Sequence, residues 1–109
     1  MGIFLSGDYL SNVEFPFIFS SYNDYLDTMK KADYILHNHN INFHIPGHGS
    51  ITEEEQEMLN RLNFSKYYLE HLMSYSGELS KYCRKKFKFF EGMKSIHQDN
   101  KKIAREENA

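Results

Sequence analysis

The sequence predicts a small α/β (α+β) protein with a short sheet, a strand-helix-strand core and C-terminal helices. Three observations lead there. Two short β-prone runs, Ile3-Phe4-Leu5 and Asn42-Phe43-His44-Ile45, stop at glycine-containing turns. The segment between them carries apolar residues at helical spacing. The 109 residues, 40% apolar and 26% charged, suffice for one compact domain and no more.

Ile3-Phe4-Leu5 ends at Ser6-Gly7-Asp8, and an apolar run this short, bounded by glycine, reads as a buried strand. Residues 9–20 show no sustained period and contain Pro16, so they read as a loop with apolar anchors at Phe15, Phe17, Ile18 and Phe19. Those anchors hint at an apolar wall near the strand end. Ser21 with Asp24 resembles a capping signature, and Tyr22, Tyr25, Leu26, Met29, Ala32 and Leu36 recur at spacings of three and four. A helix over about residues 21–37 follows. Pro46-Gly47-His48-Gly49 stops the second strand, and Thr52 with Glu55 forms a capping box at the head of a second helix rich in acids. Leu59, Leu62, Leu69, Leu72 and Met73 give that helix its apolar stripe to about Ser74, with Gly77 as terminator. A third helix places Leu79, Tyr82, Cys83, Phe87, Phe90 and Met93 on one face, and the tail from Asp99 to Ala109 is expected to fray.

Charge is uneven. Residues 1–77 carry ten acids against four bases, and the remainder nine bases against five acids. The last third therefore reads as a distinct basic element, 77–109, laid against a first unit of 1–76. A single cysteine, Cys83, excludes a disulfide framework and a multi-thiolate zinc site, so any metal must use histidine and carboxylate. With no signal peptide and no apolar run long enough to span a bilayer, a soluble cytoplasmic chain without membrane contact is expected. Met1 to Ser6 matches a myristoylation pattern, but the first strand already explains its apolar residues.

Chemistry concentrates at Asp8 and at His48. Two strands separated by one helix should lie parallel and adjacent through a right-handed crossover, bringing their C-terminal ends to one edge. A carboxylate and an imidazole, each beside glycines, are ligand types of zinc, iron or manganese hydrolases. Each also has a purely structural reading: Gly7-Asp8 as a turn pair, His48 as a turn residue. His37 and His39 suit the exit of the first helix, His44 a half-buried strand surface, His71 a solvated helix face, and His97 a helix face with no task. The run from Lys81 to Phe90 interleaves bases with aromatics as single-strand nucleic-acid surfaces do, but its period is that of an ordinary amphipathic helix, so nucleic acid is not expected as a partner. Cys83 falls on the apolar side as a small buried hydrophobe.

The string Leu5-Ser6-Gly7-Asp8-Tyr9-Leu10, the segment Glu14-Phe15-Pro16, the helix containing Tyr25 to Lys31, and Ile45-Pro46-Gly47-His48-Gly49 before a Glu-rich helix resemble the second half of a metallo-β-lactamase-fold hydrolase. His97-Gln98-Asp99-Asn100 looks like the last helix of some members. The resemblance implies half of an αβ/βα sandwich, with Asp8 bridging two metal ions, zinc above all, and His48 binding the second. The family's HxHxDH motif lies upstream of its Gly-Asp strand, whereas seven residues precede Asp8 here, and the one HxH, His37-Asn38-His39, lacks the Asp-His pair. The expectation is a truncated portion of a binuclear hydrolase, a natural truncation, an expressed fragment or one component of a split protein, inactive alone. It would act on a small-molecule substrate only in the complete protein, and self-association or a missing N-terminal half would cover its open sheet. The alternative is a non-catalytic interaction or oligomerisation module that keeps the half-fold.

Overall fold

The computed structural model describes residues 2–74 and 77–108. β1 (Gly2–Gly7), α1 (Tyr22–Asn38), β2 (Ile41–Pro46), α2 (Glu55–His71), α3 (Glu78–Lys86) and α4 (Phe90–Glu107) follow in chain order. β1 and β2 pair in parallel as a two-stranded sheet, with Phe4 opposite His44 and Leu5 opposite Ile45. The expected strand-helix-strand unit is present and the fold is α+β.

Local chemistry explains most boundaries. Ser21 caps α1, its hydroxyl accepting from the Asp24 amide at 3.1 Å. The Thr52–Glu55 capping box does not form. Thr52 instead makes an isolated antiparallel bridge with His44, and its hydroxyl accepts from the Glu54 amide, so α2 starts without a side-chain cap. Strand pairing has taken the residue that the helix would have used. Along α2 the buried face runs through Met58, Arg61, Leu62, Ser65, Tyr68 and Leu69, with Met58 inside and Leu59 only half-buried.

The single third helix expected after Gly77 is two. The chain leaves helical geometry at Phe87, φ −113° and ψ 120°, and α4 begins at Phe90. The turn lets Phe87 and Phe90 both reach the core while Lys88 and Phe89 stay outside. The tail does not fray over its described length: α4 is helical to Glu107, and Ala104, Asn100 and His97 are buried. Leu79, Cys83, Phe87, Phe90 and Ala104 join the same core cluster as Leu10, Phe15, Tyr25, Met29 and Leu62. The junction proposed between residues 76 and 77 falls beside Tyr75 and Ser76, outside the described residues, as does Met1 with its myristoylation pattern.

Phe15 occupies the centre of this core, stacked on Tyr68 at 5.3 Å between centroids, with Phe90 and His97 also against it. Phe15 and Ile18 therefore serve the core, where a buried side chain of this size contributes roughly 1.5–3 kcal/mol, rather than walling a site at the strand end. Phe19 is exposed.

A polar chain fixes α4 in place. Asn100 Nδ2 donates to the Tyr68 hydroxyl at 2.9 Å, which directs the phenolic proton to His97 Nδ1 at 2.7 Å and leaves His97 Nε2–H to donate to Ser80 Oγ at 3.1 Å. Tyr68 and His97 each accept one bond and donate the next, so the chain runs in one direction. His97 is thus a buried hub rather than a residue without a task. Burial, then the charge of Lys101, lowers its pKa to about 4, so the imidazole is neutral in the folded protein at pH 7.

The sheet has two unlike faces. Phe4, Ser6 and His44 point toward the helices, while Ile3, Leu5, Phe43 and Ile45 point away. Ile51, one residue before the Thr52 bridge, alternates onto that outer side. Ile3, Leu5 and Ile51 are 58%, 72% and 62% exposed while Phe43 and Ile45 are half-buried, so the outer face is apolar and largely open.

Candidate functional site

Asp8 and His48 stand at the same end of the sheet. Tyr9 N–H donates to Ser6 O at 3.0 Å, closing a turn that holds Asp8 just past β1. The loop 47–51 is closed by the paired backbone bonds of His44 and Thr52, at 2.8 and 3.0 Å, with His48 near its tip. Glycine is required twice there. A Cβ on Gly47 would lie 2.9 Å from Gly7 O, and Gly49 combines a φ of +123° with a Cβ position 2.5 Å from Asn12 Oδ1. The two turns are thus in backbone contact, and Gly47 N–H donates to Gly7 O.

His48 Nε2 lies 3.9 Å from Asp8 Oδ1, with the two side chains 67% and 72% exposed. At that separation they share no direct hydrogen bond, and a cation between them would meet both. His37 and His39 lie at the other end of β2, at the exit of α1 as expected, and not near the pair. His37 Nδ1 is engaged there by Asp33 at 2.6 Å. His71 is exposed at the far end of α2, its Nδ1 bonded to Tyr67 O. Among the described residues no group of three or more His, Cys, Asp and Glu side chains could hold a metal. A catalytic zinc typically takes three protein ligands and leaves one position open, so the pair does not fit a complete site by itself.

Beneath the pair runs a buried network that the sequence reading missed. Ser6 Oγ donates to Tyr9 O at 2.7 Å, so it must accept from His44 Nε2–H at 2.8 Å. That leaves the His44 Nδ1 lone pair to accept from Arg61 Nη1 at 3.1 Å. Arg61 Nη1 also donates to Ser50 O at 2.8 Å, and its Nε to Glu57 Oε1 at 3.0 Å. His44 is therefore buried rather than half-exposed, and burial together with the guanidinium lowers its pKa to about 4. The signal in the sequence was Arg61 itself, three residues from Met58 and four from Ser65 on the apolar face of α2, a position where a cation needs partners.

The remaining expectations are simpler. Cys83 is fully buried, and burial pushes its thiol up to about 12. Lys81, Arg84, Lys85 and Lys88 are exposed, and Arg84 pairs with Glu91 at 2.6 Å. No helix among the described residues is long and apolar enough to cross a membrane. No family model, curated protein or solved structure matches the chain, and the likeness to metallo-β-lactamase-fold hydrolases stands on the residues quoted above alone.

Proposed function

We propose that the chain is the C-terminal portion of a soluble, cytoplasmic, binuclear metal-dependent hydrolase of metallo-β-lactamase type, with Asp8 and His48 as two of its metal ligands. The observation that carries this reading is the exposed Asp8–His48 pair, 3.9 Å apart on two glycine-bounded turns at one sheet end. A turn needs the glycines but has no use for an imidazole. Remaining ligands would come from outside these residues, as HxHxDH does in the family. Zinc, or iron or manganese, would supply Lewis acidity and an activated water in the assembled site. This chain's own part is to present one carboxylate and one imidazole on turns held by backbone contact.

A second reading, a non-catalytic interaction module, is favoured by the bare outer face with Ile3, Leu5 and Ile51. Both readings require a covering layer, either a missing N-terminal half or a second copy.

Cobalt(II) added to the 15N-labelled chain tests the ligand roles. The expected result is weak binding, with paramagnetic broadening centred on Asp8 and His48 and lost in Asp8→Ala. The isolated chain should turn over no thioester, lactam or phosphodiester, and activity should appear on adding a polypeptide that carries HxHxDH. Broadening indifferent to Asp8→Ala, or turnover by the isolated chain that Asp8→Ala abolishes, overturns it.

A further inference from the structure

A cleft of about 210 Å³ lies between the loop after β1 and α2, lined by Ser11, Asn12, Glu57, Asn60, Arg61 and Lys86 above Phe64. Its polar atoms are not evenly used. Ser11 Oγ accepts from the amides of Val13 and Glu14, at 3.0 and 3.2 Å. Asn12 Oδ1 accepts from the Ser50 amide at 2.8 Å, and Glu57 Oε1 accepts from Arg61 Nε at 3.0 Å. Apart from Glu57 Oε2, the groups left over are donors.

The surplus is specific. Asn12 turns its oxygen to Ser50, so its amide nitrogen has two N–H groups without an acceptor among the described residues. Arg61 spends Nε and Nη1 on Glu57, His44 and Ser50 and keeps Nη2, although its side chain is only 4% exposed. Lys86 has no carboxylate partner among the described residues; its ammonium rests 5.0 Å from the Phe64 ring centroid. Two cations against the single carboxylate of Glu57 leave the cleft net positive. A guanidinium held rigid by three bonds and facing a cleft is preorganised to donate to oxygen.

We infer that this cleft is an oxyanion subsite, taking a phosphate or carboxylate group through Arg61 Nη2, Asn12 Nδ2 and Lys86 Nζ. Its place gives it meaning for the proposed reaction. Ser50, two residues past His48, has its N–H held by Asn12 and its C=O held by Arg61, so the cleft wall and the His48 turn are one structure. A bound anion there would rest against the turn that carries His48, and on the hydrolase reading, which the binding itself does not need, the substrate class is then an anionic one.

The test is a titration of the full 15N-labelled chain with inorganic phosphate and, separately, acetate at constant ionic strength. Saturable shifts are expected at Arg61 Nε–H, the Asn12 side-chain amide and the Ser50 amide, and the anion that binds names the group. Lys86→Gln should weaken binding about tenfold. Asn12→Asp should abolish it while keeping the oxygen that holds Ser50. The absence of saturable shifts with either anion, or equal affinity in both variants as for adsorption on the basic face of α3, overturns the site. Zinc added to the same sample reports on Asp8 and residues 47–49. Zinc shifts without an anion response sink the subsite alone, and an anion response without zinc shifts sinks the metal reading alone.

Discussion

Asn100 holds the backbone of Ile18 from 82 residues away: its Oδ1 accepts from the Ile18 amide at 2.8 Å, and its Nδ2 donates to Pro16 O at 2.6 Å. One side chain from α4 thus takes the place of a neighbouring strand for the loop after β1. Asn100→Ala leaves a buried donor and a buried acceptor without partners and takes a bond from Tyr68. Urea denaturation should show a loss of about 2–4 kcal/mol. A loss below about 1 kcal/mol would mean that the loop holds itself without the clamp.

Stability should fall in mild acid. The unfolded chain takes up protons on His44 and His97 near 6.5, whereas the folded chain takes them up only near 4. Between these values the unfolded state binds more protons, so the stabilisation is complete above about pH 6.5 and drains away as pH falls toward 4, on the order of 3 kcal/mol for each imidazole. Thermal melts from pH 7.5 to 4.5 should trace this decline. Imidazole signals of His44 and His97 that titrate above pH 6 in the folded protein would contradict it.

The bare sheet face should drive association. Leu5 is 72% exposed on an apolar surface, so Leu5→Lys is expected to change the stability of a single chain by less than about 0.5 kcal/mol. Sedimentation of the wild type should show species heavier than 13.0 kDa, and the variant should return the chain to that mass. A wild type that stays at 13.0 kDa at high concentration tells against both the self-association and the covered-face expectation.

Cys83 should resist thiol reagents. With the side chain fully buried and its thiol pushed up to about 12, aromatic disulfide reagents at pH 8 should label it only on unfolding. Rapid labelling of the native protein would place the α3 packing in error.

Much of the architecture was legible because period and punctuation agree in the first 50 residues. α1 carries a clean three-four spacing behind Ser21, and two short β-prone runs flank it; parallel pairing of those runs then brings Asp8 and His48 to one end. Beyond that, the pattern misleads wherever polar residues enter the core. His44, Arg61, His97 and Asn100 are hydrophilic by type and buried by partnership; Arg61 on an apolar helix face is a local trace of this, but its partner His44, 17 residues away, and those of Asn100, up to 84 away, leave none. The break at Phe87 is hidden for another reason: its apolar spacing is equally satisfied by one helix or by two that bend to the same core. Thr52 shows direct competition, since one residue suits both a cap and a bridge, and only the tertiary structure decides.

The Asn100 clamp also bears on synthesis at the ribosome. β1, α1 and β2 emerge early and contain their own cap and pairing partners, but the loop over Phe15 and Ile18 is closed by a residue made more than 80 positions later. Until α4 clears the exit tunnel, a nascent chain has Phe15 and Ile18 with no Asn100, His97 or Phe90 to meet them. The protein must therefore pass through translation with part of its core uncovered, and transiently exposed apolar surface of that kind is what chaperones bind.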